Sequence, residues 1–220
     1  MNLTGTVLGH GIAQSPSRSV FYTIVEPDRN LQNLTILGRE GARWHSVAVG
    51  YAKQMPQTLP FVVAQRANFA DQVFGLAAEN TRVNVQPPIL VSQAEEGRVL
   101  GVMIYGMKEE KGYIGNLAID PSNLTGSLGN EQLRGVGTGL VAAASRKLLQ
   151  QGVIEITLHP FDDTAREFWA KRGLVKCGGG TLCARSRQAM ESLIGSCVAL
   201  PDIPGRDFIF CGIPKPPTKR

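Results

Sequence analysis

Read for its alternation of apolar and polar positions, the chain changes character at Pro87-Pro88. Beyond that point Ile89–Ser92, Val99–Tyr105 and Tyr113–Ile119 are short runs rich in β-branched and aromatic residues. Polar turns at Glu95-Glu96-Gly97 and Lys108–Gly112 join them, which predicts three strands of an antiparallel meander. Leu140, Val141, Ala144, Leu148 and Leu149 then recur at helical spacing, with Gly152 placed as a C-cap. Val153–Leu158 predicts a further strand. Thr164-x-x-Glu167 has the form of a capping box and predicts a short helix through Arg172, ended by Gly173. Arg206–Ile213 reads as a last strand and Pro214–Arg220 as a frayed tail.

The first part of the chain is less periodic. Apolar runs at Val20–Val25 and Trp44–Tyr51 stand between turn-forming stretches, Pro27-Asp28-Arg29-Asn30 and Arg39-Glu40-Gly41. Phe61 to Asn80 predicts a helix with Phe69, Val73, Leu76 and Ala77 on one face.

At 220 residues, 43% apolar and 19% charged, the composition fits one globular domain and excludes a disordered chain. No apolar run approaches the roughly 18 residues that span a bilayer. The first charge is Arg18, so a secretory leader is not expected and a soluble, cytoplasmic protein is. Three N-x-T triplets, from Asn2, Asn33 and Asn123, would matter only in a secreted protein. The net charge of +5 favours an anionic ligand such as a nucleotide. With no block of like charge and only 6% aromatics, it makes no case for nucleic acid as the main partner. Cys177, Cys183, Cys197 and Cys211 contain no C-x-x-C pair, so no metal site is expected and they read as small, buried or half-buried thiols.

The chemistry concentrates at Arg134-Gly135-Val136-Gly137-Thr138-Gly139, just before the helical pattern. Glycines at a helix start let the backbone approach a ligand and aim free N–H groups at an anion. A P-loop would need a Lys that is missing here, and a dinucleotide fingerprint would need its third glycine one residue later. From these residues alone, a structural glycine turn reads as well as a phosphate turn.

Arg134-x-x-Gly137-x-Gly139 resembles the [QR]-x-x-G-x-[GA] turn of the GNAT superfamily of acyl-CoA-dependent N-acetyltransferases. Asp162-x-x-Ala165-x-x-Phe168-Trp169-x-Lys171-x-Gly173-Leu174 resembles that superfamily's N-x-x-A-x-x-F-Y-x-K-x-G-F segment at the same spacing. Gly115 to Pro121 resembles the end of its fourth strand. The resemblance covers about residues 88–175 and implies an α/β (α+β) fold. Its central sheet would be mixed and mostly antiparallel, flanked by helices, with a V-shaped opening between the fourth strand (Tyr113–Ile119) and the fifth (Val153–Leu158). Residues 88–213 would then be the core with the acetyl-CoA site, and 1–87 would be N-terminal elements of the same domain shaping the acceptor side.

The implied activity is transfer of an acetyl group from acetyl-CoA to a primary amine of a small molecule or a protein. The alternative is a non-catalytic acyl-CoA-binding or interaction module of the same fold. By the same resemblance, the backbone of Gly135, Val136, Gly137, Thr138, Gly139 and Leu140 would hold the pyrophosphate, with Arg134 beside it. The main chain of Leu117, Ala118 and Ile119 would pair with the pantetheine arm. Asp162 takes the place of the motif's Asn, and Phe168 would pack beside the cofactor. The family's proton-donating Tyr is Trp169 here, an indole that donates without titrating, so it reads as a wall of the acyl tunnel. His159, just past the fifth strand, is a candidate base because histidine ordinarily titrates near neutrality, or else a surface histidine before Pro160. Tyr113 stands where the histone acetyltransferase branch carries its base, or else is a core or rim residue. The loop from Pro121 to Arg134 is longer than usual in the family; it forms part of the acceptor pocket or decorates the surface, and the surface reading is favoured.

Overall fold

The computed structural model describes residues 1–54, 61–83, 87–124 and 132–195, and the backbone of two short strands at 198–199 and 209–210. An eight-stranded sheet runs through it, built from β1 (Gly5–Gln14), β2 (Ser19–Pro27), β3 (Ile89–Ala94), β4 (Val99–Lys108), β5 (Lys111–Ile119), β6 (Glu155–Leu158), β7 (Val175–Gly178) and β8 (Thr181–Ala184). The spatial order is β1-β2-β3-β4-β5-β6-β8-β7. Neighbours are antiparallel except β5 and β6, which run parallel and are joined through helix α3 (Val136–Gln150). Helices α1 (Leu31–Gln54) and α2 (Phe61–Val83) lie between β2 and β3, α4 (Asp163–Ala170) follows β6, and α5 (Arg187–Gly195) follows β8. This is the mixed, mostly antiparallel sheet flanked by helices that the sequence resemblance implies.

Alternation along the central strands feeds two cores. Leu90, Met103 and Tyr105 meet Tyr22, Leu140 and Leu148 on the α3 side. Ile89, Val91, Val102 and Ile104 meet Trp44, Val73 and Phe74 beneath α1 and α2. With both faces covered, β3 is buried throughout and β4 nearly so, which explains their unbroken apolar runs.

Several sequence expectations change. Arg39-Glu40-Gly41 is no turn but lies inside α1. Glu40 is turned inward, 5% exposed, and accepts hydrogen bonds from the Val99 N–H at 3.1 Å and Arg43 Nε at 3.0 Å, so tertiary partners satisfy a residue that reads as surface. In α2 the buried stripe is Ala67, Ala70, Val73, Phe74 and Ala77, whereas Leu76 faces solvent at 53% exposure. Small residues at 67 and 70 let the helix approach closely, and Phe74 meets Trp44 at 4.6 Å between ring centroids. The strand beyond β6 in the sheet is β8, and of the last strand expected at Arg206–Ile213 the described part is Ile209–Phe210. Ile209–Phe210 (β10) pairs instead with Val198–Ala199 (β9) in a separate ribbon. The rest of 206–213, the tail 214–220 and residues 125–131 of the Pro121–Arg134 loop lie outside the described residues. The loop's start is a 3-10 turn at Pro121–Asn123.

Candidate active site

The parallel pairing of β5 with β6 runs from Lys111 opposite Glu155 to Ile114 opposite Leu158 and stops there. Strand β5 continues to Ile119, still paired with β4, and among the described residues no strand pairs with its other edge from Gly115 onward. The β4–β5 register slips at this point: Tyr105 faces Ile114 and Ile104 faces Asn116, which leaves Gly115 as an extra residue. Such a bulge bends a strand and sharpens its twist. A bulge at the end of the β5–β6 ladder therefore opens the V-shaped fork. An open cavity of about 800 Å³ fills it, lined by β5 from Ile114 to Ile119, by Leu158 to Asp162, and by α2, α3 and α4.

The glycine turn forms the opposite wall. Gly135 is the N-cap of α3 with φ 106°, a backbone state that L side chains rarely adopt. Among the described residues no side chain caps this helix, so the N–H groups of its first residues are available to an anion, reinforced by the positive helix end. Arg134, Gly135, Gly137 and Thr138 line the cavity. The side chains of Val136 and Leu140 pack into the core behind it, and the Gly139 N–H is spent on Gly135 O at 2.9 Å. Gly139 serves packing instead: a Cβ there would lie 2.3 Å from the Tyr22 hydroxyl. Hence the turn offers fewer donors than the six residues expected from the sequence.

Arg172, which sequence reasoning passed over, completes this wall. Its guanidinium lies 3.5 Å from the Phe168 ring centroid, donates to Phe168 O at 2.8 Å and to the Thr138 hydroxyl, and lines the cavity. Its only sequence signal was its place directly before Gly173. Phe168 and Trp169 also line the cavity, with rings edge-on at 4.9 Å and the indole 5% exposed.

Asp162 caps α4. Its Oδ1 accepts the Ala165 N–H at 2.7 Å, so the predicted cap Thr164 falls inside the helix. Asp162 Oδ2 meets Arg66 of α2 at 2.7–2.8 Å. Burial pushes this carboxyl up, but the Ala165 N–H bond and the Arg66 guanidinium outweigh that and hold it below the ordinary aspartate value. Its oxygens are thus engaged with protein partners. Arg66 and Phe69 bring α2 into the cavity wall, and Phe69 stacks on Phe161 at 4.3 Å. Nothing local in the sequence signals these two, because they arrive from a separate helix.

His159 is exposed at the fork, lines the cavity, and has Nε2 3.2 Å from the Thr181 hydroxyl of β8. Leu117, Ala118 and Ile119 lie on the free edge of β5, together with Asn116. Tyr113 does not reach this site. It sits on the closed, paired side of the fork opposite Thr157 and packs over Gly106, where a Cβ would lie 2.5 Å from its hydroxyl.

Among the described residues, no cluster of His, Cys, Asp and Glu could hold a metal, and no helix is long and apolar enough to cross a membrane. Cys177 and Cys183 are free thiols, and burial pushes Cys183 up to about 11. No protein-family model matches the sequence, and no curated protein matches it. Among solved structures the chain is similar to the PaiA N-acetyltransferase from Thermoplasma acidophilum in complex with coenzyme A, at 13% identity over 74% of this chain and 96% of that one, TM-score 0.44. It is similar to AtaTR bound with acetyl-CoA, at 19% identity over 54% and 80%, TM-score 0.43. A third is nourseothricin acetyltransferase, at 13% identity over 44% and 62%, TM-score 0.35.

Proposed function

We infer that the chain is a member of the GNAT superfamily, an acetyltransferase that draws on acetyl-CoA and passes the acetyl group directly to a primary amine. One observation carries the reading: the sheet forks at Gly115, and the resulting cavity ends at the uncapped N-terminus of α3. The cavity's two chemistries fit the proposed donor. Uncapped N–H groups with Arg134 and Arg172 suit the phosphates, and the unpaired edge of β5 at Leu117–Ile119 suits an amide-bearing arm. Phe168 and Trp169 suit the apolar stretch beside the thioester.

The bound donor supplies an activated acyl carbon. An amine nitrogen bonds to that carbon as the C–S bond breaks, and the amine loses a proton while the thiolate gains one. His159 at the fork is the residue we assign to accept the amine proton. Trp169 can donate a hydrogen bond but no proton, so the thiolate takes its proton from water or from the imidazolium. Within residues 1–87, helix α2 belongs to the acceptor side in this reading, supported by Arg66, Phe69 and Ala70 in the cavity wall. A reducing, cytoplasmic setting accords with the free thiols of Cys177 and Cys183.

The test is calorimetry with acetyl-CoA, followed by thiol release against a panel of amines. A Cβ at Gly137 meets Leu117, Ile119 and Phe168 only at ordinary contact, 3.6–3.7 Å, so Gly137→Val should fold while its methyls fill the cleft. Binding by the wild type, weakened about tenfold or more in folded Gly137→Val, is expected. Unchanged affinity in that variant, or none in the wild type, overturns the reading.

A further inference from the structure

The anion turn is tied to elements outside its own segment. Arg134 makes an isolated antiparallel bridge to Gln14 at the end of β1, with the Gln14 N–H on Arg134 O at 2.9 Å and the Arg134 N–H on Gln14 O at 2.8 Å. One residue on, the carbonyl of Gly135 accepts two donors, the Gly139 N–H at 2.9 Å and the Tyr22 hydroxyl of β2 at 3.2 Å. Tyr22 is 2% exposed and reaches α3 through a slot left by two glycines. A Cβ at Gly11 would lie 2.4 Å from the Tyr22 ring, and one at Gly139 2.3 Å from its hydroxyl.

A planar trans peptide points its carbonyl and the next N–H in opposite directions. Fixing the Gly135 carbonyl toward the helix therefore fixes the Val136 N–H away from it, out of the end of α3. Gly135 has no side chain and a left-handed φ, so nothing in its own rotamer or Ramachandran preferences holds this peptide plane. Its carbonyl's two hydrogen bonds do, and the one from Tyr22 comes from outside the helix.

We propose that Tyr22 is a positioning residue for the anion turn, so that the β1–β2 hairpin sets how tightly the phosphates of the acyl donor are held. This rests on the acetyl-CoA reading above. The test compares acetyl-CoA with S-acetyl-pantetheine, which keeps the thioester and arm but lacks the pyrophosphate. Tyr22→Phe keeps the ring in its slot and removes only the hydroxyl. Acetyl-CoA affinity should fall about five- to tenfold, the worth of one hydrogen bond, with S-acetyl-pantetheine affinity unchanged. In the free protein, the Gly139 amide, which shares the carbonyl, should exchange faster with solvent while the Leu148 amide in the same helix does not. Equal weakening of both donors, or of neither, overturns the proposal. Should the wild type bind no acetyl-CoA, the functional reading fails, and the exchange measurement alone decides on the tether: an unchanged Gly139 rate refutes it.

Discussion

Replacing Asp162 should cost stability in two separable parts, because its oxygens serve different partners. Oδ1 caps α4 through the Ala165 N–H, and Oδ2 meets Arg66. Losing an N-cap side chain costs about 1 kcal/mol. The Arg66 pair, with side chains 31% and 26% exposed, adds no more than about 1 kcal/mol after solvent screening. Asp162→Ala should therefore destabilise by about 1–2 kcal/mol, a fall in Tm of roughly 2–8 °C for a domain of this size. Asp162→Asn keeps a capping oxygen and should lose only the ion-pair share. Thr164→Ala, at a position inside the helix, should stay within about 0.5 kcal/mol of the wild type. The sign with pH follows from the lowered carboxyl. A group held below its ordinary value in the folded state stabilises above the ordinary aspartate value near 4, and that stability is lost as pH falls through the folded value. Urea unfolding should thus show wild type and Asp162→Asn separated at pH 7 and converging as pH drops below about 4. A Thr164→Ala loss equal to that of Asp162→Ala, or a wild-type advantage that grows in acid, would refute the assignment of the cap.

His159→Ala should lower kcat/KM by about 10²-fold and remove the acid limb of its pH profile while leaving acetyl-CoA affinity unchanged; a fully active variant with an unaltered profile would exclude His159 as the base. Glu40→Ala leaves the buried Val99 N–H without its acceptor and Arg43 without one of two carboxylates, so the urea midpoint should fall by the equivalent of about 2–3 kcal/mol. A loss below about 0.5 kcal/mol would show that this inward glutamate is dispensable.

The parts legible in the sequence are those whose signal is local. Strands β3 to β5 announce themselves by apolar runs between polar turns, and the Gly135–Gly139 turn and the 162–174 segment by fixed spacing. Even the fork has a local mark, since Gly115 inside a strand pattern signals a bulge. What was misread depends on distant partners. Glu40 looks like a turn residue until Val99 and Arg43 satisfy it, and Leu76 is as apolar as its buried neighbours but sits on the wrong side of the helix. Thr164 matches a capping box, yet Asp162 two residues earlier takes the cap with a better acceptor. Tyr113 occupies the right strand but the closed side of its fork. Arg66 and Tyr22 reach the cavity and its turn from other elements, and no spacing rule connects them to residues 134 or 162.

The anion end of the cavity is built from peptide N–H groups and guanidinium side chains, which are donors and offer no acceptor of their own. A bound molecule can be held there only through its own acceptor oxygens. In the acetyltransferase reading this polarises the cleft: the donor enters one way round, phosphates at α3 and thioester toward the fork, and a cationic amine finds no hold at the phosphate end.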